Sequence, residues 1–234
     1  MVMSITIPPL GETMLKNISI KITLSLTIWL FMLIASYYLP LTSLSGSFRS
    51  VLSGINIVLP LAGGLFGMSM VCWLISSLWL VKTFFLTKAL TFGIPSACAM
   101  LSWASNSKKS ATKNINFLIN AFLPALCMVV FMMHPASCGA WPYALYWLIP
   151  IAIWAINHSQ NSLLCALQST FVAHAVGSVM WVFLVPMTTS QWLALIPMVM
   201  LERISIAVLA ASLYKITSVT TTLIVVKRIK KHLA

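Results

Sequence analysis

Six apolar runs follow one another along this chain, at about 23–39, 54–81, 115–133, 143–156, 163–185 and 191–213. Most approach the roughly 20 residues that a helix needs to cross a hydrocarbon core about 30 Å thick. In hydrocarbon only helices and closed barrels satisfy their own backbone groups, and runs of this length suit helices. A water-soluble fold is excluded, because only 7% of the residues are charged where soluble domains carry about 25%. The sequence therefore predicts an all-α, polytopic transmembrane helix bundle of about six spans plus one broken or re-entrant segment. Residues 1–19 read as a short cytoplasmic tail, 20–214 as the bundle and 215–234 as a basic cytoplasmic tail. The first apolar run is too long for a signal-peptide core and no small-x-small cleavage site follows it, so it reads as a retained span.

The ambiguous piece is 83–104, interrupted by Gly93-Ile94-Pro95 and flanked by Lys82 and Lys88 on one side and Lys108, Lys109 and Lys113 on the other. The distribution of bases favours a segment that does not cross. With six crossings and both termini cytoplasmic, those five lysines fall inside, together with Lys16, Lys21, Lys227, Arg228, Lys230 and Lys231. Only Arg49 then falls outside, as the positive-inside rule expects. A seventh crossing would move one of the two lysine groups outside. This asymmetry implies a bacterial inner membrane and accounts for the net charge of +12. A nucleic-acid partner is not expected, since no basic patch is interleaved with exposed aromatics.

In the second run, Gly63 and Gly67 lie four apart, a small-xxx-small face that lets another helix approach closely. Cys72, Cys98, Cys127 and Cys165 sit inside apolar runs and read as small core residues, and Cys138 alone lies in a loop. Met132, Met133, His134 and Cys138 offer soft ligands, but methionine is frequent throughout and no further His or Cys lies nearby, so no metal site is expected. No HExxH, CxxC, Walker or GxSxG pattern occurs, and neither an enzyme nor a cofactor is expected.

Three ionisable groups break the apolar pattern of the last two runs: His174, Glu202 and Arg203. Glu12 and Glu202 are the only acids in the chain. A charged residue in hydrocarbon costs roughly 2.5–3.5 kcal/mol on translocon scales. Counted from the turn near Thr188, His174 and Glu202 are equally far in, which gives them one depth near mid-membrane in an antiparallel hairpin. Ala173, Gly177 and Ser178 line the fifth span beside them, with Ala173 and Gly177 spaced for close contact. Neighbouring helix positions point about 100° apart, so Glu202 could face His174 while Arg203 faces another helix or a ligand anion. Three readings fit: a binding site for a polar group, a proton relay, or a structural clamp between helices.

The layout resembles the membrane-embedded substrate-binding subunits of energy-coupling-factor transporters, six-helix proteins of similar size with both termini cytoplasmic. The resemblance covers the arrangement of most of the chain. The family often carries Ala-x-x-x-Ala on its first helix, where the coupling subunit docks. Here KITLSLTIWLFMLIASYY lacks it, and a match, Ala207 to Ala211, lies on the last helix instead. The resemblance implies ligand binding from outside, beneath the loop after the first span and the loop HPASCGAWPY, with Trp141, Trp147 and Trp181 as candidates to stack on it. The expected function is small-molecule transport or substrate binding at a pocket formed by His174, Glu202, Arg203, Ser178 and these tryptophans. The expected partners are the lipid bilayer, a small-molecule ligand and a coupling membrane protein. A non-catalytic membrane scaffold or assembly subunit is the alternative, and an intramembrane enzyme a third.

Overall fold

The computed structural model describes residues 40–41, 52–53, 60–65, 67, 93–106, 113–156 and 161–233, with the backbone path alone for 220–233. The chain divides into two units, Met1–Gly54 and Ile55–Ala234. Within the first, β1 (Pro40–Leu41) pairs antiparallel with β2 (Leu52–Ser53), Pro40 opposite Ser53. This small ladder brackets the loop expected after the first span. The first span itself and most of the second lie outside the described residues, as do Cys72 and the lysines from Lys16 to Lys109.

The second unit is helical. Its elements are α1 (Ile94–Ser105), α2 (Lys113–Met133), α3 (Cys138–Ile156), α4 (Ser162–Leu184), α5 (Thr189–Ala194) and α6 (Ile196–Leu233). Among the described residues four helices are long and apolar enough to cross a membrane: α2, α3, α4 and the Ile196–Val219 part of α6. Short links at 134–137 and 185–188 join neighbouring helix ends, and only five positions separate Ile156 from Ser162, so consecutive spans run antiparallel. The Lys113 end of α2 and the Val219 part of α6 therefore share one side of the bundle.

Prolines shape these helices. Pro124 has no N–H, and its ring would press on the carbonyl of Asn120 in a regular helix. Helix α2 answers with a π-turn over Leu118–Phe122, in which Leu123 N–H donates to Leu118 five residues back. Helix α3 starts earlier than expected. Cys138–Ala140 is a 3-10 turn and Pro142 follows in the first helical turn, so much of HPASCGAWPY is helix rather than loop. A second 3-10 turn, Leu145–Trp147, precedes Pro150 in the same helix. The side chain of Asn161 caps α4 by accepting from the N–H groups of Leu163 and Leu164. A capping box between Thr188 and Gln191 starts α5. The expected sixth span is thus divided at Leu195, next to Pro197, and α6 continues through the expected tail to Leu233.

Helix α4 is the hub: 61% of an apolar 18-residue stretch of it is buried, against 28% for such a stretch in each of the other three. It packs on α1, α2, α3 and α6. Outward positions carry large apolar side chains, as in Phe117, Phe122, Leu126, Val129 and Met133 on α2 and Leu201, Ile204, Val208 and Leu213 on α6. Inward positions carry the polar ones, among them Ser102, Asn120, Gln168, Thr170, His174 and Ser178. Polar residues within and apolar residues without is the arrangement a helix bundle takes in lipid.

Helix α1 is the described part of the ambiguous segment. Its twelve residues rise about 18 Å, short of a bilayer core, and it lies along α4. Gly63 meets it backbone to backbone, since a Cβ there would collide with the carbonyl of Met100. Gly64 lies on the indole of Trp103. The close approach is thus made by adjacent glycines. Gly67, the other half of the expected small-xxx-small pair, has φ 69° and, among the described residues, no neighbour within 4 Å of where its Cβ would be.

Candidate functional site

A seam of small residues sets the register of α4 against α6. Cys165 and Ala166 pack in one cluster with Ala207, Ala210, Ala211 and Trp103. From Ala166 to His174 is eight residues along α4, and from Ala210 back to Glu202 is eight along α6. In antiparallel neighbours both steps run the same way, by about 12 Å. His174 and Glu202 therefore share a level. The same packing buries both alanines of the Ala207–Ala211 pair inside this chain.

At that level His174 is buried, 7% exposed, in a nest of rings. Tyr143 lies 5.3 Å from it by ring centroids, Phe171 6.4 Å and Trp147 6.5 Å. Toward the Met133 end the nest continues into a packed aromatic core centred on Phe131. Tyr143 stacks on Phe131 at 5.5 Å, and Trp147 and Trp192 stand edge-on to it, each at 5.1 Å. The Tyr143 hydroxyl and the Ser178 hydroxyl share a hydrogen bond of 3.2 Å. The Tyr146 hydroxyl donates to the carbonyl of Ile196 at 2.9 Å, just below the break between α5 and α6.

Glu202 and Arg203 pair with each other, at 3.3 Å between Oε1 and Nη2. The long arginine side chain folds back on its neighbour, so the two groups share one locus despite their diverging helix positions. No hydrogen bond joins Glu202 to His174 among the described residues. The charge of Arg203 bears on both His174 and Tyr143, and that of Glu202 on Tyr143.

Four buried nitrogens in this region have no hydrogen-bond partner among the described residues: His174 Nε2, Arg203 Nε, Trp147 Nε1 and Trp192 Nε1. An unsatisfied buried donor costs about 1–3 kcal/mol. Edge-to-face packing on Phe131 offsets part of that for the two indoles. Arg203 Nε has no ring contact of this kind among the described residues. The three N–H groups of Trp147, Trp192 and Arg203 can only donate, so each would be satisfied only by an acceptor.

The remaining candidates separate by burial. Ser178 and Trp147 belong to the nest. Trp141 and Trp181 are 55% and 38% exposed on the outer surface of the bundle, the position of interfacial lipid anchors. Gly177 faces Pro95 of α1 at 3.6 Å from where its Cβ would be. His134 is engaged locally: its Nδ1 accepts from the N–H of Ala136, and its ring lies 5.0 Å from Phe183. Among the described residues no group of three His, Cys, Asp or Glu could hold a metal ion.

Sequence reasoning missed Tyr143, Phe171 and Trp192, and it missed a second polar centre. At the Lys113 end, Asn120 Oδ1 accepts from the Ser102 hydroxyl and Asn120 Nδ2 donates to Ser105 Oγ at 3.0 Å. Asn116 donates to Asn106 Oδ1 at 2.8 Å, and Asn106 to Gln168 Oε1 at 2.7 Å. Gln168 Nε2 donates to the Pro150 carbonyl at 2.8 Å. These amides tie α1, α2, α3 and α4 together. The signal was present as amides inside apolar runs, at 116 and 120 in one and at 168 in another.

Comparison of the chain with family models, curated proteins and solved structures returns no match.

Proposed function

We propose that this chain is a multi-pass protein of the bacterial inner membrane, with both termini cytoplasmic, that binds a small molecule inside its helix bundle. It would act as a transporter or as the substrate-binding subunit of one. The observation that carries this reading is the pair of buried, unpartnered nitrogens, His174 Nε2 and Arg203 Nε. A structural clamp joins its polar groups to one another, as the amide network at the Lys113 end does. Buried nitrogens left without a partner are better suited to receiving a ligand, because buried polar groups otherwise find partners. The likeness to energy-coupling-factor subunits belongs to the same proposal. A coupling partner would need a surface other than the Ala207–Ala211 face, which is buried.

The test is purification into nanodiscs, followed by denaturation and mass spectrometry of whatever small molecule is released. A stoichiometric ligand is expected. Its retention should fall at least tenfold in His174→Ala, with the thermal midpoint of the empty protein little changed. Parallel loss of folding and retention would mark the cluster as a clamp and overturn the reading. The scaffold alternative has one observation in its favour. From Val219 to Leu233, α6 extends by about 21 Å, a helix that a partner protein could hold. That alternative expects a stable protein partner and no released ligand.

A further inference from the structure

The chemistry of the groups around His174 also selects the kind of ligand. Building on the binding-site reading, we infer that the ligand is a small organic anion whose carboxylate or phosphate oxygens lie between Arg203 and His174.

The argument starts from the donor count. An arginine carries five N–H donors and accepts nothing. Here the sole acid at the site, Glu202, meets Arg203 at Nη2, and Nε has no partner among the described residues. The Trp147 and Trp192 indoles add two further donors to the same ring cluster. Glu202 is the chain's only acid besides Glu12. A cationic or donor-bearing ligand would leave these unpartnered N–H groups unsatisfied, and would compete with Arg203 for Glu202. A carboxylate or phosphate supplies what is missing. It can take two parallel bonds from a guanidinium, and one from His174 in the tautomer that carries its proton on Nε2.

The surroundings constrain the rest of the molecule. Tyr143, Trp147 and Phe171 enclose the imidazole, so the body attached to the anion must be apolar enough to sit among rings. Inorganic phosphate, which is hydrated on every side, does not suit such a place. Depth argues against a lipid headgroup. Between Leu184 and His174 lie about 15 Å of helix, which puts the site well below the headgroup layer.

Glu202 has a definite role in this arrangement. Its carboxylate neutralises Arg203 while the site is empty, and an incoming anion competes with it for the guanidinium. Removing the acid therefore strengthens binding of an anion and weakens binding of a cation. A purely structural role for Glu202 has no such sign.

The experiment uses the full chain in phosphatidylcholine nanodiscs, freed of any retained ligand. Four probes share one ring and differ in charge: benzoate, phenyl phosphate, benzamide and benzylamine. Thermal midpoints and binding isotherms are recorded for each. Benzoate or phenyl phosphate is expected to stabilise the protein, with the neutral and cationic probes weaker by tenfold or more. Arg203→Gln should abolish the preference, whereas Glu202→Gln should tighten anion binding severalfold. If Arg203→Gln fails to fold, Glu202→Gln carries the decision alone through its direction. Preference for benzylamine or benzamide, or weaker anion binding in Glu202→Gln, overturns the anion assignment and leaves the binding site standing. Stabilisation by phosphatidylglycerol nanodiscs without any probe overturns it in favour of a lipid headgroup. No binding of any probe, combined with no ligand released from the purified protein, overturns the binding site itself.

Discussion

Individual residues in this bundle divide by whether anything can move to accommodate a change. Gly63 and Gly177 make the contrast. At Gly63 an added methyl meets the backbone carbonyl of Met100, which cannot turn away without shifting α1. At Gly177 it meets Pro95 side-chain atoms at 3.6 and 3.8 Å, ordinary contact distances. Gly63→Ala should therefore cost about 1–3 kcal/mol, the usual range for overpacking. Gly177→Ala should be neutral or slightly stabilising, because alanine is the better helix former. Thermal unfolding of the two variants in nanodiscs checks this, and equal midpoints would show that Gly63 does not sit against α1. The same distinction explains why Ala173 and Gly177 looked alike as small residues on α4. Gly177 in fact serves the α1 contact, while the seam with α6 is built by Cys165 and Ala166.

Among the elements, α2 shows how a breaking residue can aim a side chain. Pro124 and the π-turn before it leave Asn120 fully buried, where it bonds to Ser102 and Ser105 of α1. Replacing Pro124 by alanine restores an N–H and should let the π-turn relax to regular helix, which rotates Asn120 by about 100° relative to the rest of α2. Better helix propensity and worse stability are both expected, with the loss near the 1–3 kcal/mol of stranding a buried polar partner. Asn120→Ala should cost a similar amount, and the double variant should cost about as much as either alone. Strict additivity in that cycle would mean that proline and amide act independently. The last four spans were legible, because some twenty apolar residues admit few other structures, and the expected bounds of α4 differ from the observed by one residue at each end. The common depth of His174 and Glu202 was legible too, by counting residues from one turn. The polar partners were not. Asn106, Asn116, Asn120 and Gln168 lie on three separate helices or their ends, and only packing brings them together. The β-branched run ITSVTTTLIVV reads as a poor helix, yet α6 passes through it, as it can where the preceding turns already fix the backbone. The Glu202–Arg203 pair was missed for a different reason: helix geometry separates their Cβ directions, and a flexible arginine overcomes that.

At the scale of the whole molecule the arrangement of charge makes a claim about sidedness. Lys113 opens α2, and Lys215 lies near the far end of the Ile196–Val219 span. Four antiparallel spans bring these two to one side of the bundle. The links at 134–137 and 185–188 on the other side contain no Lys, Arg, Asp or Glu. The positive-inside rule predicts that the lysine side is cytoplasmic. Cys138 is exposed near the opposite end, at the start of α3, which makes it a native reporter. A membrane-impermeant maleimide added to intact cells or right-side-out vesicles should label Cys138 and lose that labelling in Cys138→Ser. In the Cys138→Ser background, Lys113→Cys should react only after the membrane is opened. Reaction of both positions from outside would mean that α2 does not cross, and labelling at 113 alone would reverse the orientation. The result bears on the site as well. With the expected orientation, the aromatic core around Phe131 lies on the external side of His174 and the amide network on the cytoplasmic side. A ligand arriving from outside would then have to pass the Tyr143–Ser178 and Tyr146–Ile196 contacts before reaching Arg203. The amides of Asn106, Asn116, Asn120 and Gln168 would close the path beyond it.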